Sequence, residues 1–158
     1  TILYDRLPFS IDEEHLPIFR SLKGVAPGEF RRLMKIAKRQ TSNREIILTE
    51  ELKTPSHLYY LVEGEAIADK NGQEFIIPSG RFVGEISFIL KGNKATATVK
   101  LKSGCKYLSW ERNKLEALLL KDPNLQQAFE ARIARDMASK LSTSQSQLNQ
   151  QLSDSYLV

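Results

Sequence analysis

Arg81-Phe82-Val83-Gly84-Glu85-Ile86-Ser87-Phe88-Ile89-Leu90 is the stretch on which the fold turns. It opens like a strand and then becomes apolar at helical spacing, inside a region otherwise built of short strands. Gly84 permits a sharp turn or a close approach of backbone to a ligand. Glu85 beside it, once ionised, is a pure hydrogen-bond acceptor. The turn that follows would offer backbone N–H groups at a helix N-terminus, a setting that suits an anion. Further on, Gly92-Asn93-Lys94-Ala95-Thr96-Ala97-Thr98-Val99 places a cation and small residues ahead of another strand. Small side chains let the backbone come close, and Lys94 can offset a phosphate charge. A carboxylate for ribose hydroxyls, exposed N–H groups and a cation together describe a pocket for a nucleotide monophosphate.

The flanking sequence is read as strands. Ile46-Ile47-Leu48, Leu58-Tyr59-Tyr60-Leu61-Val62, Ala66-Ile67-Ala68 and Glu74-Phe75-Ile76-Ile77 are short runs rich in β-branched and aromatic residues. Residues 96–101 and 106–110 supply two more. Turn signals bound them: Lys53-Thr54-Pro55-Ser56, Glu63-Gly64-Glu65, Asp69-Lys70-Asn71-Gly72 with Asn-Gly at a hairpin tip, and Pro78-Ser79-Gly80. About eight short strands at this spacing predict a compact β-sandwich or barrel.

Helices are expected on either side. Pro27 opens one, as proline does at a first helical position. Phe30, Leu33, Met34 and Ala37 make its apolar stripe, with Arg31, Arg32, Lys35, Lys38 and Arg39 mostly off it. Before it, residues 1–24 read as a loop and a short helix. After the strands, a helix begins at Glu111, buries Leu115, Leu118 and Leu119, and ends at Asp122-Pro123. A last helix carries Leu125, Phe129, Ile133, Met137 and Leu141, continued thinly by Leu148 and Leu152. Its Ser/Gln-rich dilution predicts fraying near Leu141. The chain thus divides into an N-terminal segment (1–24), a body (25–141) and a polar tail (142–158).

Composition narrows the function. The 158 residues are 41% hydrophobic, a globular content. The formal charge of +4 is mild and does not by itself imply nucleic acid. One cysteine, Cys105, excludes a disulfide framework, and it reads as a small buried hydrophobe. His15 and His57 stand far apart, in no ligand spacing, and read as surface or loop residues; clustered metal ligands for a cupin-type enzyme are missing. No nucleophile–base pair is visible either, so the chain is not read as an enzyme. Trp110 reads as core. The basic stripe reads as a solvated helix face. No apolar run approaches the roughly 20 residues of a membrane span, and no helix-turn-helix follows the last helix, so no nucleic-acid partner is expected.

The order helix–strands–helices, the run Leu58-Tyr59-Tyr60-Leu61-Val62-Glu63-Gly64-Glu65 and the motif Phe82-Val83-Gly84-Glu85-Ile86-Ser87 resemble the cyclic-nucleotide-binding domain over residues 27–141. Cys105-Lys106-Tyr107-Leu108-Ser109-Trp110, with Arg112, Leu115, Pro123, Phe129, Asp136 and Lys140-Leu141, is similar to the Popeye branch of that fold. Tyr4-Asp5-Arg6-Leu7 suits the same branch. The Asp-Ser-Pro-Glu and Phe-Gln-Val-Thr signatures of the vertebrate members are missing, so the chain looks like a bacterial relative. The resemblance implies a jelly-roll barrel with one N-terminal and two C-terminal helices, and cAMP, or else cGMP, as ligand with no other cofactor. It implies that Gly84 and Ile86 shape the phosphate cassette and offer backbone N–H groups, with Phe82 and Val83 beside them in the ligand site, that Glu85 accepts from the ribose 2′-hydroxyl, and that Ser87 contacts or shapes the phosphate end. It implies transmission through the C-terminal helices, a homodimer formed by the last helix, and a cytoplasmic placement, at the membrane face if a tether lies outside this chain.

One departure carries weight. The family places an arginine for the cyclic phosphate just before a small-residue strand. Counting forward from Gly84 puts Lys94 there; counting back from Val99 puts Ala95 there, followed by Thr96. An arginine–phosphate pair contributes roughly 2–5 kcal/mol. The alternative expectation is therefore a barrel that has lost its ligand and serves as a dimerisation or scaffolding piece.

Overall fold

The structure, a computed structural model, describes residues 11–89 and 94–156. The readings made on Tyr4-Asp5-Arg6-Leu7, on Leu90 and on Gly92-Asn93 lie outside the described residues, as do those on the side chains of Leu141 and Leu148.

A 3-10 turn, Glu13–His15, leads into α1 (Leu16–Ser21) and then α2 (Pro27–Lys35). Eight strands follow among the described residues: β1 (Lys38–Thr41), β2 (Ile46–Thr49), β3 (His57–Glu63), β4 (Ala66–Lys70), β5 (Gln73–Ile77), β6 (Phe82–Val83), β7 (Thr98–Leu101) and β8 (Lys106–Glu111). A five-residue helix, α3 (Glu85–Ile89), sits between β6 and β7; α4 (Arg112–Lys121) and α5 (Pro123–Tyr156) close the chain. The strands form two antiparallel four-stranded sheets, ordered β1-β8-β3-β6 and β2-β7-β4-β5, which face each other as a jelly roll. Asn71 and Gly72 both take positive φ at the β4–β5 hairpin tip, as an Asn-Gly turn requires.

Strand alternation sorts the side chains into two cores. On the first sheet, Leu58 and Tyr60 of β3, Phe82 of β6, and Leu108 and Trp110 of β8 point toward the helices. There they meet Phe30, Leu33, Leu115, Leu119, Leu125, Phe129 and Ile133. The neighbours Leu61, Val83 and Tyr107 point the other way, toward Ala66, Ala68, Val99 and Leu101 of the second sheet. Trp110 is fully buried and donates its indole N–H to the Leu33 carbonyl at 3.0 Å. Phe129 makes edge contacts to Phe82, Phe88 and Trp110 at centroid separations of 5.4–6.4 Å.

α5 is bonded to the strand that carries the pocket. Asp136, 1% exposed, accepts the backbone N–H of Phe82 at 2.7 Å and pairs with Arg132 one turn earlier. Arg132 donates to the Gly80 carbonyl at 2.8 Å and lies over the Phe82 ring. Its Nε is buried without a hydrogen-bond partner. Gly80 to Phe82 is thereby clamped to one helical turn.

Four expectations are corrected. The basic stripe is not a single helix face: α2 stops at Lys35, Ala37 lies beyond it, and Lys38 and Arg39 belong to β1, whose four residues are all exposed. Apolar alternation gives no signal for such a strand. β7 begins at Thr98 rather than at 96. α5 runs on to Tyr156, past the predicted fraying point; its 34 residues span about 51 Å. His15 is not a surface residue but 3% exposed, beside Phe30, Met34 and Arg39, and His57 is half-buried on β3.

Two stability predictions follow from the buried polar groups. Asp136→Ala leaves Arg132 buried and unpaired and should cost about 3–5 kcal/mol in urea unfolding. The double variant Arg132→Met/Asp136→Leu should cost clearly less than the two single losses combined; additive losses would count against a buried ion pair. For His15, burial first, then the charge of Arg39, hold the pKa below the ordinary 6.5, while Asp12 and Glu14 oppose. As pH falls below 6.5 the unfolded chain takes the proton first, so stability is lost in the window between 6.5 and the lower folded value. His15→Gln should lessen the fall in melting temperature between pH 7 and pH 5.5; an unchanged fall would exclude this linkage.

Candidate functional site

A cavity of about 590 Å³ opens between the second sheet, the β6–α3 junction and α5. Seven of the nine sequence-selected residues line it: Val83, Gly84, Glu85, Ile86, Ser87, Ala95 and Thr96. The other two do not. Phe82 is fully buried on the opposite face of β6, in the helix-side core, because it alternates with Val83. Lys94 is exposed and outside the lining.

Gly84 makes the junction. Its φ is +88°, and a Cβ there would meet the His57 carbonyl oxygen at 3.2 Å. The chain can then turn from β6 directly into α3, which brings Glu85 into the wall at 2% exposure. Ser87, also 2% exposed, donates its hydroxyl to the Gly84 carbonyl at 3.1 Å, so it braces the turn and its proton is engaged. Arg112 at the start of α4 donates to the Ser87 carbonyl and pairs with Glu116 at 3.1 Å. The cassette is therefore pinned from within and from α4.

At the approach to β7 the two counts separate. Ala95, not Lys94, faces the cavity, and its backbone N–H is donated to the Lys53 carbonyl at 2.8 Å, while its carbonyl accepts from Leu52 at 2.9 Å. Thr49 donates to the Ala97 carbonyl at 3.0 Å, and the Thr98 hydroxyl accepts from the Glu51 N–H at 3.0 Å. The small residues here are held by the 49–53 segment and line the cavity as a wall.

The sequence reading missed the opposite side. Ala68, Phe75, Ile76 and Ile77 give an apolar wall, Lys70 sits at the rim, and Met137 and Ser139 of α5 complete the enclosure. Arg81 lines it too. This guanidinium is half-buried and donates to the Gly80 carbonyl at 3.4 Å and to the Ser139 hydroxyl at 3.1 Å. Strand parity is the signal that would have found it: Arg81 and Val83 share a face, and Phe82 does not. Tyr60 lies on the helix side of the same junction; burial pushes its phenol above the ordinary 10.0, with Arg132 and Arg81 opposing.

Such an arrangement can accept hydrogen bonds from hydroxyls at Glu85, take an aromatic or aliphatic body against the apolar wall and offer a cation at Arg81. Among the described residues no cluster of metal-ligating side chains is found.

Residues 38–122 match the cyclic nucleotide-binding domain family. Over 153 residues the chain is 29% identical to Popeye domain-containing protein 1 of Mus musculus, covering 89% of this chain and 42% of that protein. It therefore spans less than half the length of that relative. Among solved structures, a cyclic nucleotide-binding domain from Methylobacillus flagellatus superposes with a TM-score of 0.71 at 18% identity, covering 85% of this chain and 82% of the other. PKAR CBD2 with Sp-2Cl-cAMPS bound superposes with a TM-score of 0.59 at 22% identity, covering 83% and 88%. With its family match spanning both sheets and its jelly-roll barrel closed by C-terminal helices, the chain, similar over most of its length to Popeye domain-containing protein 1, belongs to the cyclic nucleotide-binding domain family, a regulatory ligand-binding fold.

Proposed function

We propose that the cavity binds a 3′,5′-cyclic nucleotide, cAMP in preference to cGMP, and that α5 carries the occupancy signal. The observation that carries this reading is the joint lining of one cavity by Gly84-Glu85-Ile86-Ser87 on one side and by Met137 and Ser139 of α5 on the other. Glu85 accepts from the ribose 2′-hydroxyl. The turn after Gly84 receives the phosphate end. The purine lies against Ala68, Phe75, Ile77 and Met137. Each purine has one amino group, but guanine adds a C6 carbonyl and an N1–H; an apolar wall leaves these unpaired at a cost, which favours adenine. Occupancy reaches α5 directly at residues 137–139 and also through Phe88, whose ring meets Phe129 at 5.9 Å.

Lys94 outside the cavity and the engaged N–H of Ala95 favour a second reading, a barrel that no longer binds nucleotide and serves for dimerisation or scaffolding. Both readings place a homodimer contact on α5, whose length exceeds what the barrel needs. A cytoplasmic placement and a membrane tether outside this chain rest on the Popeye likeness; no helix among the described residues is long and apolar enough to cross a membrane.

Calorimetric titration separates the two. The first reading expects heat with cAMP, less affinity for cGMP, and roughly a ten- to hundredfold loss for Glu85→Gln, the scale of a hydrogen bond to a charged group. No heat at millimolar nucleotide, with a melting temperature indifferent to either ligand, leaves the scaffold reading. For the dimer, sedimentation should give twice the chain mass at tens of micromolar and a monomer once residues 142–158 are removed. A full-length monomer throughout would reject the α5 contact.

A further inference from the structure

We propose that Arg81 is the group that pairs with the ligand's phosphate, and that its bond to Ser139 makes this pairing hold the outer stretch of α5; the proposal rests on the cyclic-nucleotide reading of the same cavity. A guanidinium carries five N–H donors, and the two bonds of Arg81 go to neutral acceptors, the Gly80 carbonyl and the Ser139 hydroxyl. Among the described residues no carboxylate pairs with it, although the side chain is half-buried in the wall of a cavity. The neighbouring acid, Asp136, is committed to Arg132 and to the Phe82 N–H. Asp136 therefore neutralises Arg132, and the charge of Arg81 stands in the cavity wall without a carboxylate partner among the described residues. A partly desolvated cation without a counter-ion is stabilised by an incoming anion far more than an exposed one is.

The other donors near the cavity do not serve. Lys94 lies outside it, the Ala95 N–H is used by Lys53, and Lys70 is exposed at the rim, where salt and water screen it. Arg81 lines the cavity from the residue just before β6, whereas the family's arginine would stand just before β7. That position has a consequence the usual one lacks. Ser139 stands on α5, so it acts as a positioning residue for the guanidinium, and whatever fixes Arg81 also fixes residues 137–139. By linkage, a helix held in place binds the anion more tightly, and the bound anion holds the helix by the same factor.

The test is cAMP titration of the whole chain beside Arg81→Gln, Arg81→Lys, Ser139→Ala and Lys94→Gln, with hydrogen exchange of the α5 amides. Arg81→Gln should weaken binding roughly ten- to a hundredfold, with Arg81→Lys between it and the parent. Lys94→Gln should stay within about twofold, the scale of a screened surface charge. Ser139→Ala should weaken binding several-fold. In the parent, cAMP should raise protection at residues 137–139; in Arg81→Gln and Ser139→Ala that rise should be lost even at saturation. Retained affinity in a folded Arg81→Gln, or a larger loss in Lys94→Gln, overturns the assignment. Unchanged protection overturns the coupling. If the parent binds neither cAMP nor cGMP, the cyclic-nucleotide reading falls. Pyrophosphate then decides the rest: a rise in melting temperature that requires Arg81 keeps the anion site, and its lack removes that too.

Discussion

Asp136 accepting the Phe82 amide at 2.7 Å is the contact on which the geometry of the site depends. Phe82 and Val83 form a strand of only two residues, paired to β3 through Tyr59 and Tyr60. So short a strand has little to hold its register. The carboxylate on α5 supplies what the ladder lacks, and Arg132 adds a bond to Gly80 on the other side of Arg81. Gly84 follows at once and turns the chain into α3. An error of one residue in β6 would exchange Phe82 with Val83, driving a phenyl ring into the cavity and emptying the centre of the Phe88, Trp110 and Phe129 cluster.

Placing an ion pair in this interior carries a desolvation cost, and a well-packed apolar pair could be as stable. What the pair gives is direction. Burial, opposed by Tyr60 and assisted by Arg81, pushes Arg132, only 8% exposed, below the usual guanidinium range. Its bonds to Gly80 and Asp136 fix where the chain leaves the β5–β6 turn. A hydrophobic contact would fix only that the elements touch. The buried Nε without a partner is the visible remainder of that cost.

Most of the fold was legible because its elements carry their own period. β3, β4, β5 and β8 announce themselves as short runs of β-branched and aromatic residues between turns, α2 by Pro27 and its stripe, and α5 by Leu125, Phe129 and Ile133, all three fully buried. β1 was not legible: Lys-Arg-Gln-Thr is exposed throughout and is held by pairing with β8 alone. That Gly84 and Glu85 stand at a cavity wall was legible from a glycine that permits a sharp turn beside a carboxylate. Arg81 was not, although it stands three residues before Gly84 and Lys94 ten after it, because the family pattern looks for its cation just before β7. Parity would have separated Phe82 from Val83 and brought Arg81 in. His15 was misplaced for a related reason, since a lone polar residue has no pattern that reports burial.

α5 meets the rest of the molecule in two ways that differ in how much they resist movement. From Leu125 to Asp136 it is anchored by side chains at or near zero exposure and by the ion pair, so displacing it would open the helix-side core. Beyond Asp136 the contacts change in kind: Met137 and Ser139 are half-buried and line the cavity. A ligand moves an equilibrium only by its differential affinity for the two states, and one or two hydrogen bonds and a half-buried methionine supply a few kcal/mol at most. That is too little to unseat the anchored part and enough to bias the part beyond it. The fixed turn at Arg132–Asp136 is then the fulcrum, and the roughly 30 Å of helix after it, at 1.5 Å per residue, is the arm that occupancy would steer.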